Sequence, residues 1–280
     1  LAKQRLDLLL VSLELCTTRQ QAQSLIRAGQ VLVNRQVIDK PGTEINLTAD
    51  IVVKERSPFV SRGGQKLAKA LEVFPIQVGD RICLDGGIST GGFTDCLLKS
   101  GAKLVYGIDV GYGQVDWQLR NDPRVILRER TNLRYLTPAD LYANTDETLI
   151  PDLGVVDISF ISLTKVLASL KQLLQAPREL VLLVKPQFEV GKEKVGKKGV
   201  VRSTTDQADA ILRVCQEAAT EGWQYSGLTW SPLLGPAGNI EYLLWLQASG
   251  ENMPDFSAIA RITAEASATL NHPPSEQASN

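Results

Sequence analysis

Six side chains and one turn hold the chemistry legible in this sequence. Leu84-Asp85-Gly86-Gly87-Ile88-Ser89-Thr90-Gly91-Gly92-Phe93 follows a short apolar stretch and opens a helical pattern. Glycines at such a turn let backbone approach a ligand closely, and the helix start offers free N–H groups. The turn lacks both the Gly-Lys-Ser/Thr ending of a phosphate loop and the spacing of the dinucleotide fingerprint. Alone it reads equally as a tight strand–helix connection. Asp109 ends the next expected strand, 24 residues after Asp85, where an acid can hold both hydroxyls of an adenosine ribose. Lys66 precedes the first core strand, Asp157 and Lys185 end the fourth and fifth, and Glu241 sits on the last. Carboxyl ends of strands line the ligand crevice of a doubly wound sheet, so Asp157 and Lys185 are expected to converge there. Singly, each has an ordinary reading: Asp157 as a helix cap, Lys185 before Pro186 as a surface cation, Glu241 as a charge at a strand edge.

The elements that must position these groups follow from periodicity. Residues 5–15 and 19–28 show apolar spacing of two short helices, with Thr17 or Thr18 as cap and Gly29 as stop. Alternation around Val31, Val33 and Val37, then Ile45, Leu47, Ile51 and Val53, predicts a small sheet. Ser57 to Gly64 is punctuated by Pro and Gly and reads as a linker. Strands are expected over residues 81–85, 103–109, 124–127, 152–157, 179–185, 223–230 and 240–246. Helices are expected over 92–100, 113–121, 163–174, 205–221 and 254–270. Such alternation predicts an α/β fold, a largely parallel sheet with helices on both faces. The domain expectation is 1–56, a linker 57–65, a second domain 66–250, and a helix with a polar, disordered tail over 251–280.

Composition narrows the classes. Hydrophobic residues make up 44% and charged residues 22%, ordinary for a globular protein. The longest apolar runs, such as residues 8–13 and 180–184, fall far short of a membrane span. No basic-then-apolar leader opens the sequence, so a cytoplasmic location is expected. The four cysteines, Cys16, Cys83, Cys96 and Cys215, show no C-x-x-C spacing, which argues against a zinc ribbon and fits reduced thiols. The single histidine, His272, lies in the polar tail, so neither a histidine base nor a metal is expected. Net charge is −1, but residues 1–66 hold ten Lys/Arg against six acids, leaving −5 for the remainder.

Several strings resemble known families. Arg5-Leu6-Asp7, Thr18-Arg19-x-x-Ala22 and Ile26-Arg27-x-Gly29-x-Val31-x-Val33-Asn34 resemble the S4 RNA-binding domain over about residues 3–56. The resemblance implies a small α+β domain meeting structured RNA through Arg5, Arg19, Arg27 and Arg35. Members often carry Gly after the asparagine. Arg35 tolerates the positive φ of a tight I′ turn poorly, so a longer turn or another type is expected. The glycine turn with Asp85 and Asp109 resembles Rossmann-like S-adenosylmethionine-dependent methyltransferases. That implies cofactor contacts at Asp85, Gly86, Gly87, Ser89, Thr90, Gly91, Gly92, Phe93 and Asp109.

Lys66, Asp157, Lys185 and Glu241, in that order, resemble the tetrad of FtsJ-like ribose 2′-O-methyltransferases. Ser61-Arg62-Gly63-Gly64-x-Lys66-Leu67, Asp157-Ile158-Ser159-Phe160-Ile161-Ser162-Leu163, Val184-Lys185-Pro186-Gln187-Phe188-Glu189 and Gly235-x-x-Gly238-Asn239-x-Glu241 narrow this to the TlyA (haemolysin A) family. The resemblance implies S-adenosylmethionine-dependent 2′-O-methylation of cytidine in ribosomal RNA, with RNA or ribosomal subunits as partners. Lys185 would be the base, oriented by Asp157; two lysines and two carboxylates form a coupled set, and which group loses a proton stays open. Arg62 is a further candidate RNA contact. So are Lys192, Lys194, Lys197 and Lys198, in a glycine-hinged basic loop expected to be mobile at the site's mouth. Rival readings are a non-catalytic RNA-binding assembly factor, a small-molecule methyltransferase and, disfavoured by the absence of membrane segments, a membrane-lytic haemolysin.

Overall fold

The computed structural model describes residues 2–27, 29–53, 58–143, 146–249 and 253–271. The chain divides into two units, Leu1–Ser57 and Pro58–Asn280. The expected tail over 272–280 lies outside the described residues.

In the first unit, strand β1 (Lys3–Arg5) leads into helices α1 (Leu6–Ser12) and α2 (Arg19–Arg27), then β2 (Val31–Val33), β3 (Gln36–Val37), β4 (Glu44–Asn46) and β5 (Ile51–Val53). Leu6, Leu9, Leu10, Ala22, Ile26 and Val31 bury together as its core. Thr18 caps α2, its Oγ1 accepting from Gln21 N, and Gly29 closes it at φ +67°. β1 pairs antiparallel with β4; three polar residues gave no alternation by which to foresee it.

The turn at Arg35 departs from expectation. Val33 pairs with Gln36, leaving a two-residue loop in which Asn34 and Arg35 have φ of 50° and 67°. The twist of paired strands favours this type I′ geometry. Asn34 N donates to Asp50 O at 2.8 Å and its Oδ1 accepts from Asp50 N at 3.0 Å. Pairing and this clamp outweigh the ~1 kcal/mol cost of a left-handed arginine.

The second unit begins with α3 (Gly63–Val73), then β6 (Ile82–Gly86), α4 (Gly92–Lys99), β7 (Leu104–Ile108), α5 (Trp117–Arg120), β8 (Val125–Arg128) and α6 (Pro138–Tyr142). β9 (Leu153–Val156), α7 (Leu167–Leu173), β10 (Glu179–Val184), α8 (Pro186–Glu189), α9 (Thr204–Thr220), β11 (Gln224–Trp230), β12 (Tyr242–Gln247) and α10 (Phe256–Asn271) complete it. The seven-stranded sheet runs β11-β12-β10-β9-β6-β7-β8. β10, β9, β6, β7 and β8 are parallel, while β12 pairs antiparallel with both β10 and β11. This is the largely parallel α/β sheet that the alternation predicted, with an antiparallel edge that it did not.

Strand side chains alternate between two apolar layers, as the pleat requires. Leu180, Leu182 and Val184 join residues of α7, α9 and α10 on one face. Val181 and Leu183 join residues of α3, α4 and α5 on the other. The chain moves outward from β6 to β8, then returns to place β9 on the other side of β6. That reversal puts a crevice at the carboxyl ends of β6 and β9, where open α/β sheets bind ligands.

Several elements differ from the sequence reading, and α6 and α8 had no counterpart in it. α3 starts at Gly63, inside the stretch read as linker; Leu67, Ala70 and Leu71 hold its helical spacing, and the glycine pair before them obscured it. A Cβ on Gly64 would sit 2.2 Å from the Phe59 ring, so glycine there admits that ring. The helix expected over 113–121 forms only at Trp117–Arg120, because Gly113 adopts φ +74° and Asp116 caps the later start. The helix expected over 163–174 divides into a 3-10 turn, Leu163–Lys165, and α7.

Candidate active site

The glycine turn is built for close approach. Gly87 N and Ile88 N both donate to Ile108 O, at 2.8 and 3.1 Å, folding the turn over the end of β7. Gly87 and Gly91 take φ of 91° and 97°, open to glycine at little cost. A Cβ on Gly87 would lie 2.4 Å from Asp157 O, and one on Gly92 would lie 2.3 Å from Ser61 Oγ. Side chains here would therefore close the crevice. Beneath it Asp85 is fully buried, with Oδ2 accepting from Thr94 Oγ1 at 2.6 Å and Oδ1 without a hydrogen bond among the described residues.

Burial pushes the Asp85 carboxyl up to about 7; the Thr94 hydrogen bond opposes the shift, and the charges of Asp157 and Asp109 add to it. A folded pKa above the unfolded 3.8 means that the folded chain retains a proton the unfolded chain releases. Its contribution is therefore complete below about pH 4 and declines as pH rises towards 7, by on the order of 4 kcal/mol at most. Asp85→Asn is expected to flatten the stability profile between those limits. Denaturant unfolding of both proteins across pH 4–8 checks this; parallel profiles would contradict it.

Two cavities meet at the turn, sharing Gly87, Ser89 and Asp157. The larger, about 510 Å³, is walled by Asp109, Val110, Gly111, Asn132, Leu133 and Ile158. Asp109 is held by Ser89 N, donating to Oδ2 at 2.8 Å, and Gly111 N, donating to Oδ1 at 2.7 Å. A carboxylate has lone pairs left for two more donors. The smaller cavity, about 290 Å³, is walled by Ser61, Arg62, Lys66, Thr90, Phe93 and Leu234.

Lys66, Asp157, Lys185 and Glu241 come together as two ion pairs. Asp157 follows β9, its N–H donating to Gly86 O at 2.9 Å. Lys185 follows β10, and its Nζ lies 2.6 Å from Asp157 Oδ1, off the angle of a hydrogen bond, while donating to Ser159 Oγ at 2.8 Å. Glu241 precedes β12, whose Tyr242 pairs with Val184, so the strand register sets it near Lys185 in the sheet. Lys66 reaches across from α3 and donates to Glu241 Oε2 at 2.5 Å. The glutamate is 1% exposed, and a Cβ on Gly235 would approach its Oε1 to 2.5 Å. Lys66 and Asp157 line the smaller cavity; Lys185 and Glu241 are joined to them as ion-pair partners.

Residues 59–248 match the FtsJ-like methyltransferase family. The chain belongs to that family. Residues 4–52 of the FtsJ-like chain match the S4 domain. It is 47% identical over 274 residues to YqxC of Bacillus subtilis, named as a candidate rRNA methyltransferase, covering 96% of this chain and 95% of that one. It is also 47% identical over 245 residues to the 16S/23S rRNA (cytidine-2′-O)-methyltransferase TlyA of Mycobacterium tuberculosis, covering 87% and 89%. A solved structure described as a candidate hemolysin from Streptococcus thermophilus matches with a TM-score of 0.74 at 40% identity, covering 96% and 97%. Among the described residues, no helix is long and apolar enough to cross a membrane. None of their His, Cys, Asp and Glu side chains form a group of three or more that could hold a metal.

The basic residues of the FtsJ-like chain are disposed unevenly. Arg5 and Arg19 both meet buried Asp7, Arg5 through Nε and Nη2 and Arg19 through Nε, each at 3.0 Å; Gln23 Nε2 adds a fourth bond at 2.9 Å. The Arg5 hydrogen bonds foremost hold this carboxyl far below the usual range. Their guanidiniums are thus oriented yet about half exposed. Arg27, Arg35, Arg62, Lys192, Lys197 and Lys198 are exposed. Lys194 is instead engaged by Asp206 at 2.7 Å and Asp209 at 3.5 Å. Its loop, expected to be mobile, is pinned by buried Asn239, which accepts from Val201 N at 2.9 Å and donates to Gly199 O at 2.8 Å.

Sequence reasoning passed over Asn239, Ser159 and Glu189 as individual residues, although all three lie inside the motif strings. A buried polar side chain within a motif was the available signal.

Proposed function

We propose that this chain transfers a methyl group from S-adenosylmethionine to the 2′-hydroxyl of a cytidine in ribosomal RNA. The observation that carries the reading is the pair of lysine–carboxylate contacts, Lys185–Asp157 and Lys66–Glu241, meeting a cavity beside the glycine cradle. The cradle fits the cofactor: its glycines occupy positions where a Cβ would close the crevice, and Asp85 keeps a free buried oxygen below them. Asp109 would hold the ribose, residues 86–93 the methionine end, and the larger cavity the adenine. When bound, the sulfonium supplies an electrophilic methyl and leaves as a neutral thioether.

A ribose hydroxyl has little anionic character at neutral pH, so the protein must position it and take its proton. With the one histidine in the polar tail, lysine is the base of suitable type. Asp157 and Ser159 orient Lys185, and Glu241 orients Lys66 against the same cavity. The hydroxyl proton passes to a lysine Nζ that enters the step as the free amine, as oxygen forms its bond to the methyl carbon, and the carboxylate beside it holds the ammonium that results. Arg5, Arg19, Arg27 and Arg35 of the first unit, with Arg62, Lys192, Lys197 and Lys198, would neutralise RNA phosphates. Lys194, already paired, would contribute by shaping its loop. A ribosomal substrate would call for a cytoplasmic location.

The test is transfer of labelled methyl from the cofactor to purified ribosomal subunits and to free nucleosides. Label is expected in subunit RNA, as 2′-O-methylcytidine, and not in nucleosides. Equal labelling of nucleosides would favour a small-molecule substrate, and no labelling at all would favour a non-catalytic RNA-binding role.

A further inference from the structure

Lys185 and Asp157 stand on segments that leave neighbouring strands, and nothing in the sheet itself fixes how those segments meet beyond the last paired residues. Val156 pairs with Gly86 on β6 and Leu182 is its partner on β10, and Asp157 N still donates to Gly86 O, so residues 158–163 and 185–189 run free of the ladder between β9 and β10. α8 begins directly after Lys185. At its far end Glu189 is 4% exposed, and its Oε2 accepts from Ser162 Oγ at 2.5 Å while Oε1 accepts from Leu163 N at 2.8 Å. Between these ends the Phe188 ring packs on Phe160, with centroids 5.5 Å apart. The two segments therefore touch at three points: Lys185 to Asp157 and Ser159, Phe188 to Phe160, and Glu189 to Ser162 and Leu163.

The Glu189 contact is the buried, doubly bonded one. Ser162 also accepts from Thr164 N at 3.2 Å, so the same hydroxyl starts the 3-10 turn that ends the segment. Phe160, 87% exposed, takes φ +70°, a conformation that phenylalanine adopts only when its surroundings impose it. Arg213 of α9 donates to Glu189 O at 3.2 Å and ties the latch to the helical layer.

We propose that Glu189 is a positioning residue: by locking residues 158–163 onto α8, it sets the placement of the Asp157 side chain against Lys185. The proposal rests on the reading of that pair as reacting groups. It assigns to Glu189 no contact with RNA or cofactor.

The test uses the full chain with Glu189→Ala and Glu189→Gln. Misplacement of a reacting group by about 1 Å costs about 100-fold in rate, so Glu189→Ala is expected to lower kcat on that order, with KM for ribosomal subunits changed less than about threefold. Glu189→Gln is expected to recover most of the loss, because its amide oxygen accepts from Leu163 N and its amide nitrogen donates to Ser162 Oγ. Hydrogen exchange supplies a readout independent of activity. In Glu189→Ala, exchange should quicken over residues 158–163, at Leu163 above all, and stay unchanged in β10 and α9. Wild-type turnover by Glu189→Ala, no rescue by glutamine, or quickened exchange spread through β10 and α9 would each overturn the proposal. Were wild-type protein itself inactive on ribosomal RNA, the functional reading would fall, while the latch would still stand or fall on the exchange pattern.

Discussion

Replacing Lys185 by alanine is expected to lower methyl transfer about a thousandfold or more, within the range that general acid–base groups supply, while S-adenosylhomocysteine binds nearly as well. The separation follows from placement. Lys185 is not among the walls of either cavity, so truncating it leaves the cofactor's surroundings in place, while its Nζ is held by Asp157 and Ser159. Lys185→Arg refines the result. Arginine keeps the positive charge beside Asp157 but does not give up its proton at neutral pH. If Lys185 serves as base, the arginine protein is as inactive as the alanine one; substantial activity would reduce its role to charge alone. Single-turnover transfer, with calorimetric binding of the product cofactor, separates chemistry from binding.

The second large effect is expected at Gly87. Alanine there would place Cβ 2.4 Å from Asp157 O, a backbone atom that cannot move without the segment bearing it. It would also meet the ~1–2 kcal/mol cost of a left-handed non-glycine residue at φ +91°. Relief of the contact would displace both the cradle and Asp157, so cofactor affinity and transfer should fall together, each by about 100-fold. Gly113→Ala isolates the strain, since Gly113 has φ +74° and a Cβ added there would meet nothing within 4 Å. That variant is expected to lose stability but to bind S-adenosylhomocysteine within about threefold of wild type. Equal loss of affinity in both variants would show that backbone strain, not closure of the crevice, is responsible.

What could be read from sequence was what depends on short-range order. The parallel sheet follows from alternation of apolar strands and helical segments, and the positions of Asp109, Asp157 and Lys185 follow from their places just after strands. Pairings over long separations were not legible in local pattern; only the family resemblance joined Lys66 and Glu241 in one set, without saying which partner each meets. Lys66 and Glu241 stand 175 residues apart, and their contact requires α3 to lie against the end of β12. Arg5 and Arg19 read as free cations because nothing local shows that Asp7 is buried between them. Arg35 shows the same limit from the other side: its propensity argued against a tight turn, and strand pairing with the Asn34–Asp50 bonds overrode it. Lys194 stands in a basic run, but the helix that follows places Asp206 and Asp209 within its reach.

The most direct test of the central claim is mass spectrometry of ribosomal RNA from cells with and without this protein, read for 2′-O-methylcytidine. This nucleoside is expected to disappear at discrete positions when the protein is absent and to return with the wild-type chain but not with Lys185→Ala. An identical methylation pattern in both cells would contradict it.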